Sequence, residues 1–302
     1  MPTTATMGTA ATRAVRQAST RRGGLFAADR YWAMALAAPY VAVFLLFVIY
    51  PIGYGLWLGT SLASYRTLLQ DPIYLQTITN TLLYLLFGVN LKLALAMMLS
   101  GFFARPGWWF KVLLLAFMLP WAIPALPSYL SINWMLNGQW GLINNIIWDL
   151  FQVDGPPWLD SRTLALGSVI YGHIWKWLPF WTLIFLAGRL AIPRELYEAA
   201  DVDGASQAQK FVHVTLPLMA GMYLVCTLLS TIWALGDFNA VRFISGGGPA
   251  LSTHVLATLG IRNAFELGDP RLGMATVLTA LPLLIPLVIL LMRQLRRNEV
   301  TI

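Results

Sequence analysis

Residues 198–217 read EAADVDGASQAQKFVHVTLP, a polar passage with long apolar sequence before and after it. Just upstream, Pro193 can open a helix, because a first-turn residue has no intrahelical partner for the N–H that proline lacks. Arg194 to Val202 then form one short helix, with alanines that leave a face open to close approach. Asp203-Gly204 is a turn signal that breaks it. Ala205 to Val214 form a second helix, and Pro217 ends the segment where the chain returns to apolar sequence. Two short helices set at an angle make a compact knob. Small residues and one well-placed acid are what a docking element needs.

The sequence on either side belongs in a bilayer. Of 302 residues, 58% are apolar and only 11% charged, with a mean hydropathy of +0.66. A soluble domain carries roughly a quarter charged residues. A helix needs about 20 apolar residues to cross a hydrocarbon core of about 30 Å. Six stretches qualify: Tyr31–Leu58, Gln76–Phe102, Lys111–Met135, Thr163–Ala187, Leu218–Phe243 and Gly273–Met292. The expected fold class is therefore all-α, a polytopic membrane protein with six transmembrane helices over residues 31–293. The short alternating segments of a transmembrane barrel do not occur. The knob falls in the loop 188–217, between the fourth and fifth spans. With both termini in the cytoplasm, that side holds thirteen of the Lys and Arg residues and the opposite side five, counting those at the span edges. The positive-inside rule favours this orientation. The asymmetry accounts for the net charge of +7 and pI near 9.7 through contact with lipid, so no nucleic-acid partner is needed.

The ends and the scattered reactive residues add limits. Residues 1–30 carry Arg13, Arg16, Arg21, Arg22 and Arg30 among Ser, Thr, Ala and Gly, and read as a disordered cytoplasmic tail. Residues 294–302 read as a second tail. The apolar run after residue 30 is too long for a signal peptide. Cys226 stands alone, so no intrachain disulfide is expected. His173, His213 and His254 lack metal-ligand spacing. A phosphate-binding G-x-x-x-x-G-K-[ST] loop is missing, since Gly246-Gly247-Gly248 is followed by Pro249 and no lysine. The outer segment Asn137–Ser161 carries Trp140, Trp148 and Trp158 and reads as an amphipathic stretch at the membrane surface. Anchoring and docking of an external partner both fit it.

The 198–217 passage resembles the EAA loop of binding-protein-dependent ABC importers, whose pattern is EAA–x2–DGA–x5–F–x2–(I/V)–x–L–P. Glu198, Ala199, Ala200, Asp203, Gly204, Ala205, Phe211, Val214, Leu216 and Pro217 fill every fixed position. Leu186-Ala187-Gly188-Arg189-Leu190 with Ile192-Pro193 resembles the lead-in to that loop. Asp237-Phe238 and Ser245-Gly246-Gly247-Gly248-Pro249 resemble the FD…TxGGP segment of carbohydrate permeases of the maltose-permease type, with the first pair inverted and Ser245 in place of Thr. Gly141-Leu142-Ile143-Asn144 and Trp158-Leu159 resemble that family's outer loop. The likeness runs from about Ala33 to Arg293. It implies a type I importer of the bacterial cytoplasmic membrane, assembled from two homologous permeases, an ABC ATPase dimer and an extracytoplasmic solute-binding protein. In such an importer the EAA loop is the coupling helix that sits in a groove of the ATPase. ATP and Mg belong to that ATPase, and this chain has no cofactor and no catalytic residue of its own. The Gly-Gly-Gly-Pro feature points to the first permease of a pair.

Polar residues inside spans face a bundle interior or a wet cavity. His173, Trp175, Lys176 and Trp177 of the fourth span and Trp233, Asp237 and Asn239 of the fifth are the candidate pathway residues. Indole faces beside hydrogen-bonding groups suit the C–H faces and hydroxyl edge of a sugar. Trp175 and Trp177 lie about 200° apart on a helix, so both cannot face one pathway. Lys176 and Lys92 could pair with Asp237, cap helix-end carbonyls or meet an anionic solute, and Lys92 could instead snorkel to the interface. The runner-up cargo is glycerol 3-phosphate or another anionic sugar derivative. An ion-coupled carrier would need more membrane carboxylates than Asp237, and a membrane enzyme would need clustered acids or histidines at one surface.

Overall fold

The structure, a computed structural model, describes residues 31–299, and the tail expected over residues 1–30 lies outside them. Among the described residues every regular element is helical. The chain divides into two compact units at residue 57. Among the described residues the first is helix α1 (Tyr31–Leu58) up to Trp57, and this helix contains no charged residue. Its 28 residues span about 42 Å. Leu45–Ile49 winds as a π-helix just before Pro51. A proline ring crowds the carbonyl four residues back, and a wider turn at Phe47 relieves that clash.

In the second unit, α2 (Leu62–Gln70) leads to α3 (Pro72–Phe103). Asp71 accepts the N–H of Ile73 at 2.9 Å and Pro72 occupies the first turn, so α3 starts before the expected Gln76. The expected third span is not one straight helix. It breaks into α4 (Trp108–Ala122) and α5 (Ala125–Met135), bent by 92°. Pro124 forces Ile123 into extended backbone, ψ 139°. Next come α6 (Leu142–Phe151), the surface helix of the Trp-rich segment, and α7 (Arg162–Leu190), 29 residues long.

α8 (Arg194–Val202) covers the residues expected of the first knob helix. The second differs from expectation. Helix α9 (Gln207–Leu235) is capped by Ser206 and runs unbroken past Pro217, so that proline does not end the segment. Phe211–Thr215 forms a π turn ahead of Pro217, the same device as at Pro51. The fifth span also begins and ends earlier than expected. α9 stops at Leu235, residues 236–238 are non-helical, and α10 (Asn239–Ile244) is a separate helix. α11 (Leu256–Ile261) continues into a π turn at Arg262–Glu266. α12 (Pro270–Leu278) and α13 (Leu281–Glu299) follow, and the helix runs beyond the expected end at Met292.

Among the described residues, α1, α3, α9 and the stretch Pro270–Leu295 are long and apolar enough to cross a membrane, and α4 with α5 makes a fifth if counted as one bent span. α7 has the length, about 44 Å, but His173, Lys176 and its tryptophans make it less apolar. It is the hub of the second unit. α3 lies along it, joined by Tyr84, Val89, Leu93 and Met97 against Val169, Trp181 and Phe185. Gly172 lets α10 approach, because a Cβ there would collide with the Ile244 side chain.

Helices in lipid associate by close packing and interhelical hydrogen bonds, each worth about 0.6–2 kcal/mol, and not by expelling water. Such bonds fix the loop after α10. The Asn80 amide donates to the carbonyls of Ser252 (2.8 Å) and His254 (2.9 Å), and Arg162 donates to Asn80 Oδ1 at 3.0 Å. Thr81 Oγ1 accepts the N–H of Leu256 at 3.0 Å. Asn133 donates to the Ile244 carbonyl at 2.6 Å.

Candidate functional site

Where α9 stops at Leu235, the chain turns in toward the middle of α3 and α7, and Asp237 meets Tyr84 and His173 there. Its Oδ1 accepts the N–H groups of Asn239 (3.1 Å) and Ala240 (3.3 Å) and so caps α10. Its Oδ2 accepts from Tyr84 Oη and His173 Nδ1, each at 2.9 Å. The other imidazole nitrogen, Nε2, lies 2.9 Å from Lys92 Nζ. One proton arrangement satisfies every bond. The Lys92 ammonium donates to Nε2, Nδ1–H of a neutral His173 donates to Asp237 and to the tyrosine oxygen 2.7 Å away, and the tyrosine hydroxyl donates to Asp237. An ammonium on α3 is thus balanced by a carboxylate at the end of α9 through an imidazole on α7. Lys92 is 1% exposed, so it does not reach the interface. Asp237 has four donors on its two oxygens and little capacity left for a solute.

This relay forms one wall of a cavity of about 380 Å3. The other wall is aromatic, with Trp233 at 5.9 Å from Trp177 and 5.6 Å from Trp181 between ring centres. Ser230 and Asn239 add polar edges. Lys92 lies 6.0 Å from the Trp181 ring centre. Among the described residues its one hydrogen bond goes to His173, so the ammonium, which lines the cavity, keeps two N–H groups to donate. A larger groove of about 450 Å3 beside α5, α6 and α7 has no charged side chain and is lined chiefly by apolar ones, including Trp158 and Tyr171. It has no grip for a strongly polar solute.

Five of the seven pathway residues read from the sequence meet at the cavity: His173, Trp177, Trp233, Asp237 and Asn239. The other two do not. Trp175 is half-buried against the hydrophobic core. Lys176 points to the bend between α4 and α5, where its ammonium donates to the carbonyls of Pro120 (2.7 Å), Trp121 (3.4 Å) and Ile123 and to Ser128 Oγ (3.4 Å). It caps the carbonyls that Pro124 leaves without helical partners. Trp181, Ser230 and Tyr84 were not among the sequence candidates. Two of them had a signal: Trp181 follows Trp177 by four residues and His173 by eight, and Ser230 precedes Trp233 by three, so each shares a helical face with a candidate. Tyr84 had none.

The 198–217 passage forms its own surface. Gly204 adopts φ +74°, the left-handed conformation that glycine accepts without strain, and donates to the Asp201 carbonyl at 3.0 Å. Ala205 donates to the Ala200 carbonyl at 2.9 Å, closing the turn after α8. Ser206 and Gln209 form a capping box that starts α9. Lys210 is buried and pairs with the Asp201 carboxylate. Glu198, Ala199, Asp203, Gly204, Leu216 and Pro217 are exposed, while Ala200, Ala205 and Phe211 are half-buried. Behind the turn, Arg189 stacks 5.7 Å from the Phe211 ring and donates to Ser100 Oγ (3.1 Å) and the Met97 carbonyl (3.3 Å). The knob is therefore tied to α3, and α9 carries it directly to the cavity.

Helices of membrane-spanning length, a polar cavity between them and a small-residue knob on a loop suit a helical transport subunit. Residues 92–299 match the family described as "Binding-protein-dependent transport system inner membrane component". The sulfoquinovosyl glycerol transport system permease protein SmoG of Agrobacterium fabrum is 32% identical over 87% of this chain and 90% of that protein. The trehalose/maltose transport system permease protein MalF of Thermococcus litoralis is 31% identical, covering 78% and 84%. A bacterial alginate ABC transporter, solved in complex with an alginate pentasaccharide-bound periplasmic protein, shares the fold, with a TM-score of 0.80 over 89% of this chain and 96% of that one at 20% identity. The chain belongs to the binding-protein-dependent transport system inner membrane component family, and it is a multi-pass permease of the ABC importer class.

Proposed function

We propose that this chain is a permease subunit that carries a sugar or sugar-like solute across the bacterial cytoplasmic membrane, driven by ATP hydrolysis on a separate ATPase dimer that holds the ATP and Mg. Six spans form its domain over residues 31–293: α1, α3, the bent pair α4–α5, α7, α9, and α12 with α13. Both termini lie in the cytoplasm, in line with the distribution of Lys and Arg. A second homologous permease completes the pathway, and an extracytoplasmic binding protein delivers the solute. Loop 188–217 is the coupling element, with Glu198, Ala199, Ala200, Asp203, Gly204, Ala205, Phe211, Leu216 and Pro217 at or beneath the ATPase surface. Loaded binding protein and ATP each favour the same closed arrangement, so each tightens the other's binding.

The observation that carries the cargo reading is the cavity with indoles on one wall and hydrogen-bonding groups on the other. Trp177, Trp181 and Trp233 offer faces to sugar C–H groups, while Lys92, Ser230 and Asn239 meet hydroxyls. The names of the relatives, trehalose/maltose and sulfoquinovosyl glycerol permeases, support a carbohydrate. His173 and Asp237 hold the Lys92 ammonium in place. Because Asp237 balances it, the cavity carries no net charge, which favours a neutral sugar over glycerol 3-phosphate. Uptake into proteoliposomes that contain the full complex, with trehalose, maltose and glycerol 3-phosphate compared, tests this. ATP-dependent accumulation of a neutral sugar is expected. Uptake of glycerol 3-phosphate alone, or of nothing in the panel under conditions that stimulate hydrolysis, would refute the cargo reading.

A further inference from the structure

Where α3 and α7 end beside α8, a cleft of about 240 Å3 is lined by Gly101, Arg105, Arg189, Arg194 and Tyr197, among others. Three arginines line it and no carboxylate does. None of the three pairs with an acid among the described residues. Arg189 donates to the neutral oxygens of Ser100, Met97 and Thr215. Gly101 makes room for it, since a Cβ there would lie 3.2 Å from the guanidinium. Arg105, just past the end of α3, and Arg194, at the start of α8, are exposed and line the same cleft. Like charges gathered without a counter-ion repel, so the arrangement calls for an anion.

The surroundings say which anion. Arg105 lies 5.6 Å over the Phe102 ring. Trp108 and Trp109, three and four residues on, are 63% and 61% exposed at the start of α4. Exposed tryptophans at the mouth of apolar helices lie at headgroup level, where the ring is in contact with lipid and its N–H with polar groups. A phosphate at that depth meets guanidinium forks suited to bidentate hydrogen bonding.

We propose that Arg105, Arg189 and Arg194 form a site for the phosphate of an anionic membrane lipid headgroup. Tyr197, which lines the same cleft, shares Thr215 at the base of α9 with Arg189. An occupied site therefore braces α8 against α3 and α7 at the root of the coupling segment. The site rests on the proposed function only for its placement at the cytoplasmic face.

The purified importer complex is placed in nanodiscs of phosphatidylcholine alone or with a quarter phosphatidylglycerol, and lipids retained after release are counted by native mass spectrometry. Phosphatidylglycerol should be retained in preference by the wild type. Arg105→Gln with Arg194→Gln should weaken retention by roughly fivefold for each arginine removed, and the matching Arg→Lys pair should restore most of it. Equal retention by wild type and the Gln pair would overturn the proposal. Displacement of phosphatidylglycerol by millimolar inorganic phosphate would assign the site to free phosphate and overturn the lipid occupant. Solute-stimulated ATP hydrolysis in the same discs separates the two readings. Stimulation with unselective lipid retention defeats only the lipid site, whereas no stimulation in any disc defeats the proposed function.

Discussion

Replacing Asp237 by Asn tests the buried relay most sharply. The carboxylate accepts four hydrogen bonds, two from the backbone of α10 and two from Tyr84 and His173. An amide in the same place can keep its oxygen on the N–H groups of Asn239 and Ala240, so the cap on α10 survives. Its NH2 faces Tyr84 and His173 and cannot accept from either. The larger effect is electrostatic, because Lys92 loses its counter-charge while staying buried. Removing one partner of a buried pair costs about 3–5 kcal/mol. Lys92→Met alone should cost a similar amount, for the mirror reason. The double variant has neither charge, so it should be less destabilised than the sum of the singles, with a coupling of at least about 1–2 kcal/mol. Denaturant unfolding of the three variants in mixed micelles measures the cycle. Additive effects, or a single Asp237→Asn cost below about 0.5 kcal/mol, would refute the relay.

Three other perturbations follow from particular contacts. Lys176→Met removes the donor shared by the carbonyls of Pro120, Trp121 and Ile123, and should cost about 1–3 kcal/mol, with faster hydrogen exchange confined to the bend between α4 and α5. Trp233→Ala removes the central ring of the aromatic wall and should raise the solute concentration for half-maximal uptake about three- to tenfold, with ATP hydrolysis still coupled. His254 is buried beside Gly247, and burial, with Arg262 adding to it, pushes its imidazole down to about 4. The unfolded chain takes up that proton near pH 6.5 while the folded chain does not. Stability should therefore be level above pH 7 and fall as the pH drops from about 6.5 to about 4. His254→Gln should flatten that slope in a pH series of thermal unfolding.

The helical class, four or five of the six apolar spans and the turn at Gly204 were legible because they depend on short-range signals. An apolar run of bilayer length, a proline before α8 and a Gly at the turn act within a few residues. What failed was decided by single prolines and by distant partners. Pro124 folds one apparent span into two helices, and its effect was hidden in a run of uninterrupted hydropathy. Pro217 has the opposite outcome, because a π turn over Phe211–Thr215 lets the helix pass through it. Asp237 reads as a residue inside a span, yet it lies in the break after Leu235, where it can reach both α3 and α7. Lys92 and His173 come from two separate helices and Asp237 from the break after a third, and spacing along the chain cannot say that they touch. Lys176 and Trp175 were grouped with His173 by proximity in sequence, whereas helical rotation sends them to other faces.

The central claim is that the loop around Gly204 transmits ATP hydrolysis to the cavity. Gly204 is exposed, nothing lies within 4 Å of a Cβ built there, and its φ of +74° suits Gly or Asn. Gly204→Trp therefore fits the isolated permease at a strain of about 1–2 kcal/mol but fills the surface on which an ATPase would dock. The measurement is ATP hydrolysis by the reconstituted complex with and without loaded binding protein, for wild type, Gly204→Asn and Gly204→Trp. The account predicts that stimulation survives in the Asn variant and collapses to the basal rate in the Trp variant, while the permease remains folded. Full stimulation in Gly204→Trp would contradict the claim that this loop couples the two subunits.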